Sequence, residues 1–292
     1  MTPEWQFRGL SVTTDHGTLS DIEGGFGEER VCLLGHWEPL FCLLAGRARS
    51  RGGEVLFDGI PAREAVKAGS LGVADPKVRL PTETTVHSWL VDNLLLLGNT
   101  MRAASADADR SLDVLQLRFL KGRSGRSLSP AEMYAARLAL ALSTEPRAVL
   151  VDAPTNAAQT ASFQLALLKR VAEQAQLVMT SDWFTDAGAI GWSQRVVSIS
   201  RGRLMSNCST QRWLKERSYY CLIAESNQPE LELELARVGV EVHNPGQREL
   251  LVSLPEGCST RPLVGAAHRS QSPLSRLLPI DRQAVPAPAE SP

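Results

Sequence analysis

The chain has 292 residues, long enough to bury a full hydrophobic core in one large domain or in a core domain with a smaller appendage. Acidic and basic side chains nearly cancel, with formal net charge -1 and pI ≈ 6.5, so no global field draws the protein to nucleic acid or to an anionic membrane, and protein partners are expected. Cys32, Cys42, Cys208, Cys221 and Cys258 are odd in number, widely spaced and never in a CxxC pair, which argues against a disulfide framework and a zinc site and fits a reducing compartment. The N-terminus, MTPEWQFRGL, lacks the basic start and apolar run of a signal peptide. Strand-like runs follow at Phe7 to Val12, Val31 to Leu34 and Gly53 to Gly59, the last closing on an Asp58-Gly59 turn. From Thr85 to about Leu142 the apolar spacing becomes helical, as in Leu112, Leu115 and Phe119 and again in Met133, Ala136 and Leu140. The longest apolar stretch, Trp89 to Gly98, is interrupted by Asp92 and Asn93 and falls short of the ~20 residues a membrane span needs. The expected location is therefore cytoplasmic, with any membrane role supplied through another subunit.

An apolar run at Ala148 to Val151 ends on Asp152, a helix-like segment covers Ser162 to Gln174, and a further apolar run follows at Leu177 to Met179. Strand, helix, strand in that order predicts a parallel sheet buried on both faces. Val196 to Ile199 and the turn at Arg201-Gly202-Arg203 close this region. After Trp213 the period changes. Tyr219 to Glu225 reads as a strand, Pro229 to Val238 as a helix, and Val240 to His243 and Glu249 to Leu254 as strands around an Asn244-Pro245-Gly246 turn. The expected division is a core over residues 1–210, with a helical subdomain at about 85–142, a β-α-β-β appendage over 211–268, and a Pro/Ala-rich tail over 269–292 that reads as disordered.

Residues 128 to 155, LSPAEMYAARLALALSTEPRAVLVDAPT, align without a gap to the pattern of a signature LSGGQ, a helix, a Glu-Pro turn and a strand ending LLLLDEPT. EERVCLLG, PLFCLLAG, GGEVLFDG, LVMTSD and RVVSISRGRL occur around it in matching order. On these motifs the chain resembles the ATP-binding subunit of an ATP-binding cassette (ABC) transporter, over about residues 5 to 210. The resemblance implies an α/β, P-loop NTPase-like core with an antiparallel β subdomain and a helical subdomain. The appendage is similar to the C-terminal extension of subunits that serve drug, polysaccharide or lipid exporters.

The residues that handle nucleotide in that family are replaced here. A G-x-x-x-x-G-K-S/T loop surrounds phosphate with backbone N–H groups, neutralises charge with Lys and ligates magnesium with Ser or Thr. Between Leu34 and Leu40 stand only Gly35, His36, Trp37, Glu38 and Pro39, a loop about four residues shorter than the motif demands. Trp37 takes the lysine position, and Glu38 and Pro39 take those of the hydroxyl residues. A carboxylate ~4 Å from a phosphate charge costs on the order of 4 kcal/mol per charge pair at an effective dielectric of 20. Asp152 keeps the family's metal-organising carboxylate, and its reading as a hydrogen-bonded strand end stands beside its reading as a metal ligand. Ala153 replaces the glutamate that polarises the attacking water, Ser181 the switch histidine, and Gln159 the Asp after the Asp-x-Pro-Thr turn. The segment Leu71 to Thr82 offers no glutamine, and only His16 stands where a stacking aromatic belongs. In the signature, Ser129-Pro130-Ala131-Glu132 replaces Ser-Gly-Gly-Gln. The same residues make a helix start, with Ser129 as N-cap, Pro130 first and Glu132 completing a capping box.

The resemblance with these replacements implies a subunit that does not hydrolyse ATP and binds ATP and Mg2+ only weakly if at all. It would pair with a second ABC ATP-binding subunit, or with itself, beneath a polytopic export permease. Two alternatives stand beside it. One is an active ATPase with an atypical site, built on Asp152 and a lysine such as Lys77. The other is a scaffold that reuses the fold without a transporter.

Overall fold

The computed structural model describes residues 3–15, 17–35, 37–152, 161–180, 192–200, 202–215, 217–226, 228–243, 249–255 and 259–279. The chain divides into two compact units, Met1–Val31 with Glu38–Thr180, and Cys32–Trp37 with Ser181–Pro292.

The first unit opens with an antiparallel sheet of β1 (Trp5–Thr14), β2 (Gly17–Phe26), β4 (Gly52–Phe57) and β5 (Ile60–Pro61), in the order β2-β1-β4-β5; β3 (Arg30–Gly35) follows β2 in the chain. Trp5, Phe7, Leu10 and Val12 are buried, and the step of three between Phe7 and Leu10 coincides with a register shift against both neighbouring strands. That bulge hides the period of two from a simple reading. β2 has no apolar run at all, because only Leu19, Ile22 and Phe26 face inward from GTLSDIEGGF. Trp5, Phe26 and Phe57 pack with ring centroids 5.9 and 4.8 Å from Trp5, a separation at which tilted aromatic pairs attract.

β6 (Leu71–Ala74), β7 (Ala148–Val151) and β8 (Gln176–Thr180) are parallel and in register, Leu71 beside Ala148 and Ala148 beside Gln176. β7 and β8 are buried along their whole length, as a strand covered on both faces must be. α1 (Glu38–Leu44), α2 (Ala62–Lys67) and α6 (Ala161–Ala172) accompany these sheets. The helical region contains α3 (Val86–Leu96), α4 (Met101–Val114) and α5 (Pro130–Leu142). Thr85 and Thr100 cap α3 and α4 by accepting from Ser88 and Ala103 amides. α4 stops before Gln116, whose φ is 57°, and the expected apolar row breaks there: Leu112 and Leu115 are buried whereas Phe119 is 58% exposed.

In the second unit β9 (Arg195–Ser200) runs beside β3 and pairs with β10 (Arg203–Ser209), a strand that lies beyond the turn where the sequence pattern closes. After α7 (Thr210–Lys215) come β11 (Arg217–Ala224), α8 (Gln228–Arg237), β12 (Glu241–His243), β13 (Glu249–Pro255), α9 (Arg261–Arg269) and β14 (Leu274–Pro279). Their antiparallel sheet has the order β12-β13-β11-β14. This is a β-α-β-β-α-β, ferredoxin-like arrangement. The appendage expected as β-α-β-β over 211–268 therefore gains a helix and a strand, and the tail expected from 269 contains β14. The second helix carries too little apolar sequence for a pattern search, since it buries only Leu263, Ala266 and Ala267, yet these complete a core with Leu222, Leu231, Leu235 and Val252. Glu234 on α8 and Arg269 at the end of α9 join at 2.8 Å.

Candidate functional site

β3 ends at Gly35 and α1 begins at Glu38, so two residues, His36 and Trp37, separate strand from helix. Gly35 has φ 78°, and a Cβ there would lie 2.2 Å from the Ile199 carbonyl oxygen, so strand packing alone requires glycine. The Trp37 amide donates back to the Gly35 carbonyl at 2.9 Å and does not point to an open loop. Glu38 and Pro39 occupy the first turn of α1, where Glu38 meets the positive end of the helix dipole and Pro39 spares a donor the helix cannot use. His36 and His16 lie outside the described residues.

Asp152 follows β7 directly. Its amide donates to the Ala74 carbonyl at 3.3 Å, and its carboxylate accepts from the Thr180 hydroxyl at 3.2 Å. Burial pushes its carboxyl up to about 6; Asp75 and Glu38 add to the rise, while the Thr180 bond and Arg47 oppose it. Arg47 itself is held by Asp75 at 2.6 Å. Burial likewise raises the Cys42 thiol on α1, against the pull of Arg47 and Lys77. Burial also lowers Arg137 on α5, whose Nε donates to the Val78 carbonyl at 2.8 Å. The ends of β6 and β7 thus carry a charge cluster of Glu38, Arg47, Asp75, Arg137 and Asp152, with Lys77 exposed on its rim. No group of three or more His, Cys, Asp or Glu with metal-binding geometry exists among the described residues.

At the start of α5 the expected capping box is present. The Ser129 hydroxyl accepts from the Glu132 amide at 3.3 Å, and the Glu132 carboxylate accepts from the Ser129 amide at 2.8 Å. Pro130 and Ala131 complete the first turn. Arg123 adds a 2.7 Å bond to the other Glu132 oxygen, and together the Ser129 amide and Arg123 hold that carboxyl below its usual range. The four residues are engaged in making the helix start, so Ser129→Ala costs about 1 kcal/mol and Ser129→Gly only a few tenths in urea unfolding. Equal losses for both variants would mean that the hydroxyl does more than cap.

Ala153, Gln159 and Ser181 lie outside the described residues. Sequence reasoning missed Arg47, Asp75, Arg123, Arg137 and Thr180. Only the first two had a signal, Gly46 as a helix stop before Arg47 and Asp75-Pro76 after an apolar run. The guanidinium contacts of Arg123 and Arg137 arise from tertiary packing.

No family model matches the chain. In sequence it is 27% identical over 205 residues to the sulfate/thiosulfate import ATP-binding protein CysA 1 of Chromobacterium violaceum, a match covering 65% of this chain and 56% of that protein. The chain thus spans little more than half the length of that relative. In structure it is similar to cbiO1 from Clostridium perfringens, part of the ABC transporter complex cbiONQ, with TM-score 0.61 and 17% identity over 82% of this chain and 98% of that one. The α/β fold is that of the ABC ATPases, with a P-loop NTPase-like core, an antiparallel β subdomain and a helical subdomain. In sequence the chain is similar to the ATP-binding subunits of ABC transporters. No helix among the described residues is long and apolar enough to cross a membrane.

Proposed function

We propose that the chain is a nucleotide-binding-domain-like subunit of an ABC transport complex that does not hydrolyse ATP and serves a structural or regulatory role. The observation that carries the reading is the two-residue step from β3 to α1. A phosphate loop needs a run of free amides, a lysine and a hydroxyl before the helix. Here the run is absent, and Trp37, Glu38 and Pro39 stand in its place. The residues present do not fit Mg-ATP. Ala153 in the position of the water-polarising glutamate and Glu132 at the signature helix extend the mismatch beyond the loop. Calorimetry of the purified chain is expected to show Mg-ATP affinity no tighter than millimolar, and micromolar binding would remove the argument from the loop.

The partners this reading implies are a polytopic permease and a second ATP-binding subunit, with the chain held at the inner or plasma membrane through them. Trp89, on α3, is 5% exposed and belongs to the core of the helical region. The surface for a permease is instead the turn between α3 and α4, where Leu96 is 85% exposed and Leu97 and Met101 are exposed beside it. The direction we propose is export, supported by the likeness of the C-terminal appendage to exporter extensions; the relative found by sequence carries the name of an importer. Purification of the chain from its own cells with its associated subunits distinguishes a transporter role from a free scaffold.

A further inference from the structure

The stretch 75–85 leads from the end of β6 to α3, and so from the parallel strands to the helical region. Its first residues are held from several sides. α1 ends in a Schellman turn: Gly46, at φ 68°, donates to the Leu43 carbonyl at 3.0 Å, and the Arg47 amide donates to Cys42 at 2.8 Å. That turn fixes the backbone of Arg47. Its guanidinium lies 5.6 Å from the centroid of the Phe41 ring and bonds Asp75 at 2.6 Å. The same carboxylate accepts from the Lys77 amide at 2.7 Å, and Arg137 reaches from α5 to the Val78 carbonyl at 2.8 Å. At the far end the Gly125 amide donates to Thr84 at 3.1 Å, and Thr85 bridges Ser124.

Exposed ion pairs contribute little because water screens them and the side chains lose entropy. This one differs, since the Asp75 side chain is only 9% exposed and Arg47 is stacked. We propose that Arg47 and Asp75 form a built-in lock that holds the 75–85 connector, and with it α3 to α5, in one orientation on the parallel strands without any ligand. Arg137 is the second point of attachment. The lock is a matter of conformation, and it stands whether or not ATP binds. Under the function proposed above it removes the need for nucleotide to set the position of the helical region.

Amide hydrogen exchange of the whole chain, measured without nucleotide, tests the lock directly. Arg47→Met keeps the stacking length and removes the charge, and amides in 76–85 are expected to exchange about tenfold faster, with those of β7 and β8 unchanged. Arg47→Lys, which keeps charge without the planar fork, is expected to fall between. Asp75→Asn approaches the pair from the other side and is expected to accelerate the same amides. Unchanged exchange in 76–85 in both neutral variants overturns the lock. So does acceleration by one common factor in 76–85, β7 and β8, which would make the pair a general stabiliser of the unit.

Discussion

Gln176→Ala is expected to lower the unfolding free energy of the first unit by about 3 kcal/mol. The Gln176 side chain is almost fully buried at the start of β8, and each of its polar atoms is used. Its carbonyl oxygen accepts from the Trp5 indole at 2.8 Å, and its amide donates to the Pro3 and Glu28 carbonyls at 3.1 and 2.8 Å. One residue therefore fastens the first strand of the antiparallel sheet and the entry to β3 onto the parallel strands. Alanine removes the acceptor of the buried Trp5 indole and a donor to the Pro3 and Glu28 carbonyls, and a buried group left unpaired costs about 1–3 kcal/mol where water cannot enter. Trp5→Phe removes the indole donor while keeping an aromatic beside Phe26 and Phe57, so the two changes together should cost less than their sum. Urea unfolding of the two single variants and the double variant measures this. A loss below about 1 kcal/mol for Gln176→Ala would show that the hub is solvated or replaceable.

The parallel strands were legible because burial on both faces writes a continuous apolar run, as in Ala148 to Val151 and Leu177 to Met179. α5 was legible in finer detail, down to its capping box, because capping is local chemistry between Ser129 and Glu132. β2 and β6 gave no such signal: β2 buries three residues at uneven spacing around a bulged partner, and β6 is four residues long. α9 and β14 were hidden by the polar and proline-rich sequence around them, and tertiary contact with α8 and β11 decides their structure. At the candidate site the short step between β3 and α1 was readable from Gly35 to Pro39. The cluster around Asp152 was not. Arg47 follows α1, Asp75 follows β6, Arg137 lies on α5 and Thr180 ends β8, and no sequence spacing relates residues that meet only when the sheet is built.

That cluster makes a second large prediction. Burial pushes the Asp152 carboxyl up to about 6, above the ordinary carboxylate value of about 4 that it regains on unfolding. A group raised in the folded state binds its proton more tightly there, so the unfavourable contribution is fully present above about pH 6 and fades as pH falls towards 4. A difference of about two pKa units corresponds to about 3 kcal/mol of destabilisation at pH 8 relative to the protonated state. Asparagine has nearly the same shape, never ionises, and can still accept from the Thr180 hydroxyl through its side-chain oxygen. The stability of Asp152→Asn relative to the unaltered chain is therefore expected to rise by about 2–3 kcal/mol between pH 4 and pH 8, with the variant the more stable at the upper end. Urea unfolding across that range, in buffer free of divalent cations, gives the difference at each pH. A difference that stays flat would mean that Arg47 compensates the Asp152 charge fully in the folded state. In that case the strand-end carboxylate is a satisfied member of the Arg47 and Asp75 network, and retaining it costs the fold nothing.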